Sequence, residues 1–164
     1  MAAIHLMVGF MGFGKTTLAK HLEKELPAVC LSHDEFMTDL YGRNLPEKEF
    51  REKYDVIDNM LWNLAKKIIL CDCNVIIDYG FWSKKTRYLA NGKAKSVCPN
   101  VIFHELICDM QTAKQRVLKR NKNDIKALCI DENCFNKFSN QYQPVEESEN
   151  LNVIRYRQDW FTKN

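Results

Sequence analysis

A glycine-rich stretch near the start of the chain has the residue types and spacing of a phosphate-binding loop, Gly9-Phe10-Met11-Gly12-Phe13-Gly14-Lys15-Thr16. Glycine lets the backbone turn so that successive N–H groups point at phosphate oxygens, and a helix beginning at Lys15 would add the positive end of its dipole. The Lys15 ammonium can reach the β- and γ-phosphates, and the Thr16 hydroxyl can ligate Mg²⁺. The pattern predicts that ATP and Mg²⁺ bind along Gly9–Thr17, through Gly9, Gly12, Phe13, Gly14, Lys15, Thr16 and Thr17.

Two aspartates follow apolar runs that have the length of buried strands. Asp78 ends the run Asn74–Asp78, and Asp34 comes shortly after Ala28–Leu31. Ligands of open α/β sheets bind beyond the carboxyl ends of the strands, so both carboxylates are expected near the phosphates. Asp78 is a candidate metal ligand together with Thr16, or a substrate contact, and a structural acid at a strand end is the alternative. The structural alternative for Asp34 is a helix cap or a first-turn acid with no role in the site.

Two arginines in the basic segment Met110–Asn121 are candidates for contacting a transferring phosphoryl group. Arg116 and Arg120 are four residues apart, so they share one face of a helix. Guanidinium groups can neutralise the charge that grows on phosphate oxygens in the transition state. The polar segment Asn121–Ile130 that follows is expected to be mobile. The competing interpretation is a solvated basic face that the arginines share with neighbouring lysines.

Three residues downstream of Asp78 could border a second substrate. Phe81 and Trp82 could wall such a site or stack on a ring, and plain core packing is the alternative. Arg87 could hold an anionic group of that substrate, or form a surface salt bridge.

Strand-like and helix-like segments alternate along the chain, which is typical of a parallel sheet covered by helices. Strands are predicted at about 4–8, 28–31, 74–78, 101–107 and 151–156. Helices are predicted at about 15–26, 34–40, 47–71, 83–96, 110–121 and 131–140, the third from apolar residues at three- and four-residue steps. The sequence therefore predicts one α/β domain over residues 1–164.

The chain resembles the small P-loop kinases that include zeta toxins, chloramphenicol phosphotransferase and polynucleotide kinases, and it is similar to kinase-like members of the AAA-type ATP-binding superfamily. The resemblance covers about Ile4–Tyr156. It is carried by the loop 9–17, the Ser-His-Asp ending at Asp34, the run from Val75 to Trp82 with Arg87, Arg116–Asn121, and the proline–acidic stretch 143–147. It implies a three-layer P-loop NTPase fold, with a five-stranded parallel sheet in the order 2-3-1-4-5 and helices on both faces.

The resemblance also implies an ATP-dependent kinase that transfers the γ-phosphate to a hydroxyl of a small molecule, a nucleotide or an RNA. In that family the position of Asp34 is the general base, and a carboxylate there can orient the hydroxyl and accept its proton. Lys15, Arg116 and Arg120 would be the other catalytic residues, with Arg120 also contacting ATP and Asn121–Ile130 forming a lid. The alternative is a non-catalytic ATP-binding regulatory protein or a simple ATPase.

A guanine-recognition motif is a weaker interpretation. Asn121-Lys122-Asn123-Asp124 matches N-K-x-D, but it follows a basic helix where GTPases have an apolar strand. Asp78-Tyr79-Gly80 also lacks the D-x-x-G spacing, so a GTP-driven switch is not favoured.

Composition limits the possible partners. The 164 residues are 46% hydrophobic and 27% charged, with a net charge of only +3, so charge alone does not indicate nucleic acid. An RNA acceptor stays open but is not favoured, because the lysine clusters lie on predicted helices whose solvated faces are commonly basic. No apolar run is long enough to cross a bilayer, and the seven cysteines are irregularly spaced. We therefore expect reduced thiols, a cytoplasmic location and no membrane partner.

Overall fold

The structure, a computed structural model, describes residues 1–124 and 126–157. Within these residues five strands form one sheet: β1 (Ile4–Val8), β2 (Ala28–Ser32), β3 (Asn74–Asp78), β4 (Val101–Ile107) and β5 (Val153–Arg157). All neighbouring strands are parallel, and their order is β2-β3-β1-β4-β5. The predicted fold class and strand order are confirmed. Residues 158–164 of the expected domain lie outside the described residues.

Six α-helices connect the strands within the described part of the chain: α1 (Lys15–Glu25), α2 (His33–Tyr41), α3 (Glu47–Leu70), α4 (Lys84–Val97), α5 (Met110–Asn123) and α6 (Glu132–Ser139). Helices α2, α3 and α4 pack on one face of the sheet, through residues such as Met37, Leu61 and Ala94. Helices α1, α5 and α6 pack on the other, through residues such as Leu18, Val117 and Phe135. The result is the expected three-layer arrangement.

The central strand β1 is buried on both faces, which explains its uninterrupted burial. Ile4, Leu6 and Val8 contact the core beneath α3, whereas Met7 contacts the core beneath α1, because successive side chains of a strand point to opposite faces. A strand covered by helices on both sides is expected to be apolar at every position rather than at alternate ones, and in β1 only His5 departs from this pattern. The glycine-rich loop begins directly after this buried strand, at its carboxyl end.

Helix starts are set by side-chain caps at several places. Ser83 begins α4 with a reciprocal capping box with Thr86, and Asp109 and Asp131 cap α5 and α6 through Thr112 and Cys134. Helix α5 extends to Asn123, which is two residues further than predicted and into the expected lid. Strand β5 begins at Val153, two residues later than predicted. Residue 125, within the expected lid, lies outside the described residues.

None of the helices in the described part of the chain has the length and apolarity needed to cross a membrane. All seven cysteines carry free thiols.

Candidate active site

The loop between β1 and α1 has the backbone conformation that its glycines permit. Gly12 and Gly14 have φ angles of +79° and +97°, a region that side chains other than glycine rarely adopt. Gly12 also lies against α5, where a Cβ atom would overlap the carbonyl of Ala113. The Gly9 amide donates to the Gly80 carbonyl at 3.1 Å, which joins the ends of β1 and β3. Glycine at position 12 is therefore required both by conformation and by packing.

Lys15 lies at the start of α1, half-buried beside two carboxylates. Its Nζ atom donates to the Phe10 carbonyl at 2.9 Å, so the side chain folds back over the loop. Burial lowers the pKa of Lys15, and the charges of Asp78 and Asp34 oppose this shift while Arg120 adds to it. The four charged groups therefore share one electrostatic environment around the loop, and the roles of Lys15 in phosphate binding and of Asp78 in metal binding stay predictions.

Thr16 and Asp78 meet at the base of the loop. The Thr16 hydroxyl donates to Asp78 Oδ2 at 2.7 Å. Asp78 is buried, and burial raises its pKa to about 6 although Lys15 and Thr16 act in the opposite direction. A hydroxyl and a carboxylate oxygen are the hard donors that Mg²⁺ prefers. The raised pKa of Asp78 shows that Lys15 does not fully offset the cost of burying its negative charge, and a divalent cation would do so. The residues present therefore fit the expected metal.

Asp34 lies in the first turn of α2, at the same edge of the sheet as Asp78. In the parallel register Ser32 is opposite Asp78, so Asp34 extends just beyond the strand ends. Ser32, not Asp34, accepts the capping hydrogen bond of α2, from the Glu35 amide. The Asp34 carboxylate is exposed to the cleft and makes no hydrogen bond or ion pair with any described residue. Asp34 therefore does not cap α2, but it is an acid of the first turn, as the structural alternative expected, and its carboxylate is accessible.

Arg116 and Arg120 project from α5 towards the same cleft. Both side chains are half-buried and line it. Arg116 contacts the Cys108 sulfur at 3.7 Å. Arg120 donates to the Leu128 carbonyl at 3.5 Å through Nη2, and its buried Nε has no hydrogen-bond partner among the described residues. An orphaned guanidinium donor at this position is suited to an anionic ligand.

The segment after α5 borders the cleft and is held by its own side chains. Asn121 donates to the Ile130 carbonyl at 2.6 Å and accepts from the Ile130 amide at 3.2 Å. Asp124 accepts from the amides of Lys126 and Ala127. These asparagine and aspartate side chains of the N-K-x-D sequence therefore stabilise the loop backbone. Arg43, in the α2–α3 connection, contacts the same segment through the Asn121 carbonyl at 3.0 Å.

Phe13 and Thr17, also predicted to contact ATP, have different surroundings. Phe13 is buried, its ring packs on Tyr142, and its amide donates to the Phe10 carbonyl at 3.2 Å. Thr17 is exposed and lines the cleft. The roles of both in nucleotide binding stay predictions.

Arg87 does not reach the cleft, contrary to both sequence interpretations. Its side chain has no exposed surface, and it forms a two-bond pair with Glu149 at 2.7 and 2.8 Å. Its remaining donors bind the carbonyls of Phe81, Gln143 and Pro144. Arg87 is therefore neither a surface ion pair nor an anion site. It ties the segment after β3 to the proline–acidic stretch.

The consecutive residues Phe81 and Trp82 separate to opposite faces of the sheet. Phe81, with a φ of +44°, stacks on Tyr79 with centroids 5.4 Å apart. Trp82 packs on Phe10 at 4.9 Å in the other core cluster. Both side chains also line the cleft, so core packing is observed for both and a contact with a second substrate stays a prediction.

One cleft of about 1940 Å³ is lined by the candidate site residues Lys15, Asp34, Asp78, Arg116 and Arg120. Its phosphate half is bordered by the loop, α1 and α5. Its other half, here called the distal half, is bordered by α2, α3, α4 and residues 79–83. The distal half contains residues that sequence reasoning did not place in a pocket for the second substrate: His33, Phe50, Tyr54, Asp58, Tyr79 and Lys93. The four-residue spacing of Phe50, Tyr54 and Asp58 was the one available signal, because it puts them on one face of α3.

Residues 4–145 match the model of a family described as the AAA domain. The chain belongs to this AAA domain family. The matched range contains the phosphate-binding loop, both aspartates and both arginines of the candidate site. No curated protein is similar enough in sequence to match the chain.

Solved structures with the same fold include a protein named as a kinase, a protein with bound ADP-AlF3 and a chain of an RNA repair complex. A candidate kinase from Chloroflexus aurantiacus has a TM-score of 0.74 at 17% identity, over 99% of this chain and 88% of that one. Chaetomium thermophilum Kti12, in complex with ADP-AlF3, has 0.71 at 15% identity, over 95% and 89%. A chain of the Pnkp1/Rnl/Hen1 RNA repair complex has 0.70 at 20% identity, over 85% of this chain but only 43% of that one. With the family match, these likenesses confirm the expected P-loop kinase-like group.

Proposed function

We propose that the protein is an ATP-dependent phosphotransferase that moves the γ-phosphate of ATP to a hydroxyl of an acceptor bound in the distal half of the cleft. The observation that carries this proposal is the Asp34 carboxylate, which is accessible, unpaired and electrostatically coupled to Lys15 and Asp78. An acid in the first turn also stabilises the helix dipole of α2, but a carboxylate that lines the cleft and has no partner among the described residues is in addition the group that a kinase uses to receive a proton from its acceptor.

Each residue of the site has a role in this reaction. Loop amides and Lys15 bind the β- and γ-phosphates, and Thr16 and Asp78 would hold Mg²⁺, which when bound neutralises charge on the phosphate oxygens. Asp34 accepts the proton of the acceptor hydroxyl as that oxygen bonds to the γ-phosphorus. The bond between the γ-phosphorus and the β–γ bridging oxygen breaks, and ADP leaves. Arg116 and Arg120 stabilise the charge of the group in transfer.

The decisive experiment follows label from γ-labelled ATP to a panel of alcohols, for wild type and three variants. Lys15→Ala should abolish transfer and weaken ATP binding. Asp34→Asn should leave ATP binding nearly intact and lower transfer by about 10²-fold or more. Asp39→Asn is the matched control, since Asp39 is also exposed on α2 and lines the cleft. Full turnover in Asp34→Asn would show that Asp34 is not the base.

The second candidate is a non-catalytic ATP-binding protein or a simple ATPase. It is favoured by one observation, the similarity to Kti12, a protein that is not named as a kinase. ATP binding with at most slow hydrolysis, and no label on any acceptor, would support this candidate over the kinase.

A further inference from the structure

Aromatic rings form one wall of the distal half. The His33 ring lies 4.1 Å from Tyr54 and 5.4 Å from Tyr79, measured between centroids. Tyr79 in turn stacks on Phe81 with an angle of 19° between the rings, and Phe50 lies beside His33 and Tyr54. Aromatic faces at a cleft provide stacking surface for a flat ring.

Two polar atoms in this wall are buried, namely His33 Nδ1 and the Tyr79 hydroxyl, and neither has a hydrogen-bond partner at ordinary distance among the described residues. Burial, with a smaller contribution from the nearby Asp58, raises the pKa of Tyr79, so its hydroxyl keeps its proton. The two residues are only 3% and 7% exposed. The other ring nitrogen of His33 is 3.2 Å from the Tyr54 carbonyl. Because a carbonyl can only accept, that nitrogen carries the proton and Nδ1 is left as an acceptor. The wall therefore offers one acceptor and one hydroxyl, and such orphaned buried groups call for a ligand or water.

The charges of the distal half are unsuited to an anion. Of the described residues that line it, the lysine and arginine side chains are Lys93 and Arg51. Lys93 donates to Asp58 at 2.6 Å, and Arg51 pairs with Glu47. Arg87 is buried against Glu149. A phosphate placed here would meet carboxylates without an unpaired cation to balance it.

Building on the proposed kinase function, we propose that the acceptor is an uncharged alcohol carrying a flat heteroaromatic ring, a ribonucleoside rather than a nucleotide or an RNA end. The ring stacks against Tyr54 and Phe81, the members of the wall that keep exposed surface. Polar atoms on the ring edge donate to His33 Nδ1 and bond to the Tyr79 hydroxyl. The sugar hydroxyl then faces Asp34, and a phosphate next to that sugar is rejected.

Binding measured by calorimetry tests this acceptor class without requiring turnover. The probes are the four ribonucleosides, their 3′-monophosphates and methyl β-D-riboside, each titrated into protein saturated with Mg²⁺ and a non-hydrolysable ATP analogue, so that the probes cannot enter the donor site. Each nucleoside and its 3′-monophosphate have the same ring and the same 5′-hydroxyl. We expect at least one nucleoside to bind about tenfold or more tightly than its 3′-monophosphate and than the riboside.

Three results would overturn the inference: equal or tighter binding of the 3′-monophosphates, equal binding of the riboside, or no binding of any nucleoside. Tyr79→Phe supplies a second test, because it removes the hydroxyl and keeps the ring. It should weaken nucleoside binding about three- to tenfold, whereas Tyr88→Phe, which removes a hydroxyl from an exposed residue of α4, should not. An unchanged affinity in Tyr79→Phe would remove the hydroxyl from the proposed contact.

These outcomes separate the acceptor class from the kinase proposal. Label transferred only to 3′-phosphorylated acceptors would overturn the acceptor class and leave the kinase standing. Tight nucleoside binding without any transfer would support a nucleoside-binding site in the distal half and contradict the kinase.

Discussion

The Thr16 hydroxyl donates a 2.7 Å hydrogen bond to Asp78, which joins the first turn of α1 to the last residue of β3. The two residues are 62 positions apart in sequence, and both belong to the predicted metal site. If the pair holds Mg²⁺, removing either oxygen should affect the metal more than the nucleotide.

We therefore expect Thr16→Val and Asp78→Asn each to raise the Mg²⁺ concentration needed for half-maximal ATP binding by about tenfold or more. The measurement is ATP affinity titrated against Mg²⁺. Thr17→Val is the comparison, because it removes the neighbouring exposed hydroxyl, and its effect on ATP affinity should be the same at all Mg²⁺ concentrations. A Thr16→Val protein with wild-type Mg²⁺ dependence would exclude Thr16 as a ligand.

Two glycines with opposite surroundings provide a matched test of the loop. At Gly12, with φ of +79°, a Cβ would overlap the Ala113 carbonyl, whereas at Gly92 in α4 it would meet nothing within 4 Å. Gly12→Ala should lower the free energy of unfolding by on the order of 1–3 kcal/mol and disrupt ATP binding. Gly92→Ala should raise the free energy of unfolding by up to about 1 kcal/mol. Urea denaturation measures both, and equal effects would contradict the loop geometry.

The buried Arg87–Glu149 pair should matter for stability rather than for ATP binding. Arg87→Met leaves Glu149 buried without its partner and should lower the free energy of unfolding by about 3–5 kcal/mol. The matched control is Lys84→Met, because Lys84 pairs with Glu146 in the same region and both are largely exposed. Only a small shift of the urea midpoint is expected there. If the two variants were equally stable, the pair would not be the anchor that the structure indicates.

A buried histidine should make stability depend on pH. His104 bonds to His5 at 2.9 Å and to the Tyr156 hydroxyl at 3.0 Å, and burial, with a smaller contribution from His5, lowers its pKa from 6.5 to about 4. As pH falls below 6.5 the unfolded chain takes up a proton that the folded protein does not. The free energy of unfolding should therefore decrease by up to about 3 kcal/mol as the pH falls from 6.5 to 4. Above pH 6.5 this histidine should cause no further change of the unfolding free energy with pH.

Substitution His104→Gln removes this titration and keeps a hydrogen-bonding side chain. The slope of unfolding free energy against pH should be shallower in His104→Gln than in wild type between pH 6.5 and 4. Parallel slopes in wild type and His104→Gln would show that His104 is not the group responsible.

Several parts of the candidate site could be predicted because they depend on local rules. The glycine spacing of residues 9–16 encodes a loop conformation, and Asp78 ends an apolar strand at the edge where such folds bind ligands. The four-residue spacing of Arg116 and Arg120 gives a shared helix face in any packing of α5. These features follow from covalent geometry and from periods of two and 3.6 residues.

The distal half could not be predicted in the same way. Tyr54 lies on the apolar stripe that the sequence predicts for α3. No sequence pattern indicates that Asp58 pairs with Lys93, which is 35 residues away. Periodicity specifies which face of a helix a residue occupies. It does not specify what lies opposite, which depends on how α3 and α4 pack on the sheet.

The sequence by itself determined the family, the strand order expected from it, and the phosphate-binding loop with its lysine and aspartates. Tertiary structure alone decided that Arg87 pairs with Glu149 and that Phe81 and Trp82 lie on opposite faces of the sheet. It also decided that aromatic rings from α2, α3 and the segment after β3 converge on one wall. The reason is physical. A motif consists of residues close together in the sequence. The partner of a buried charge or ring depends on contacts between elements that are far apart in the chain.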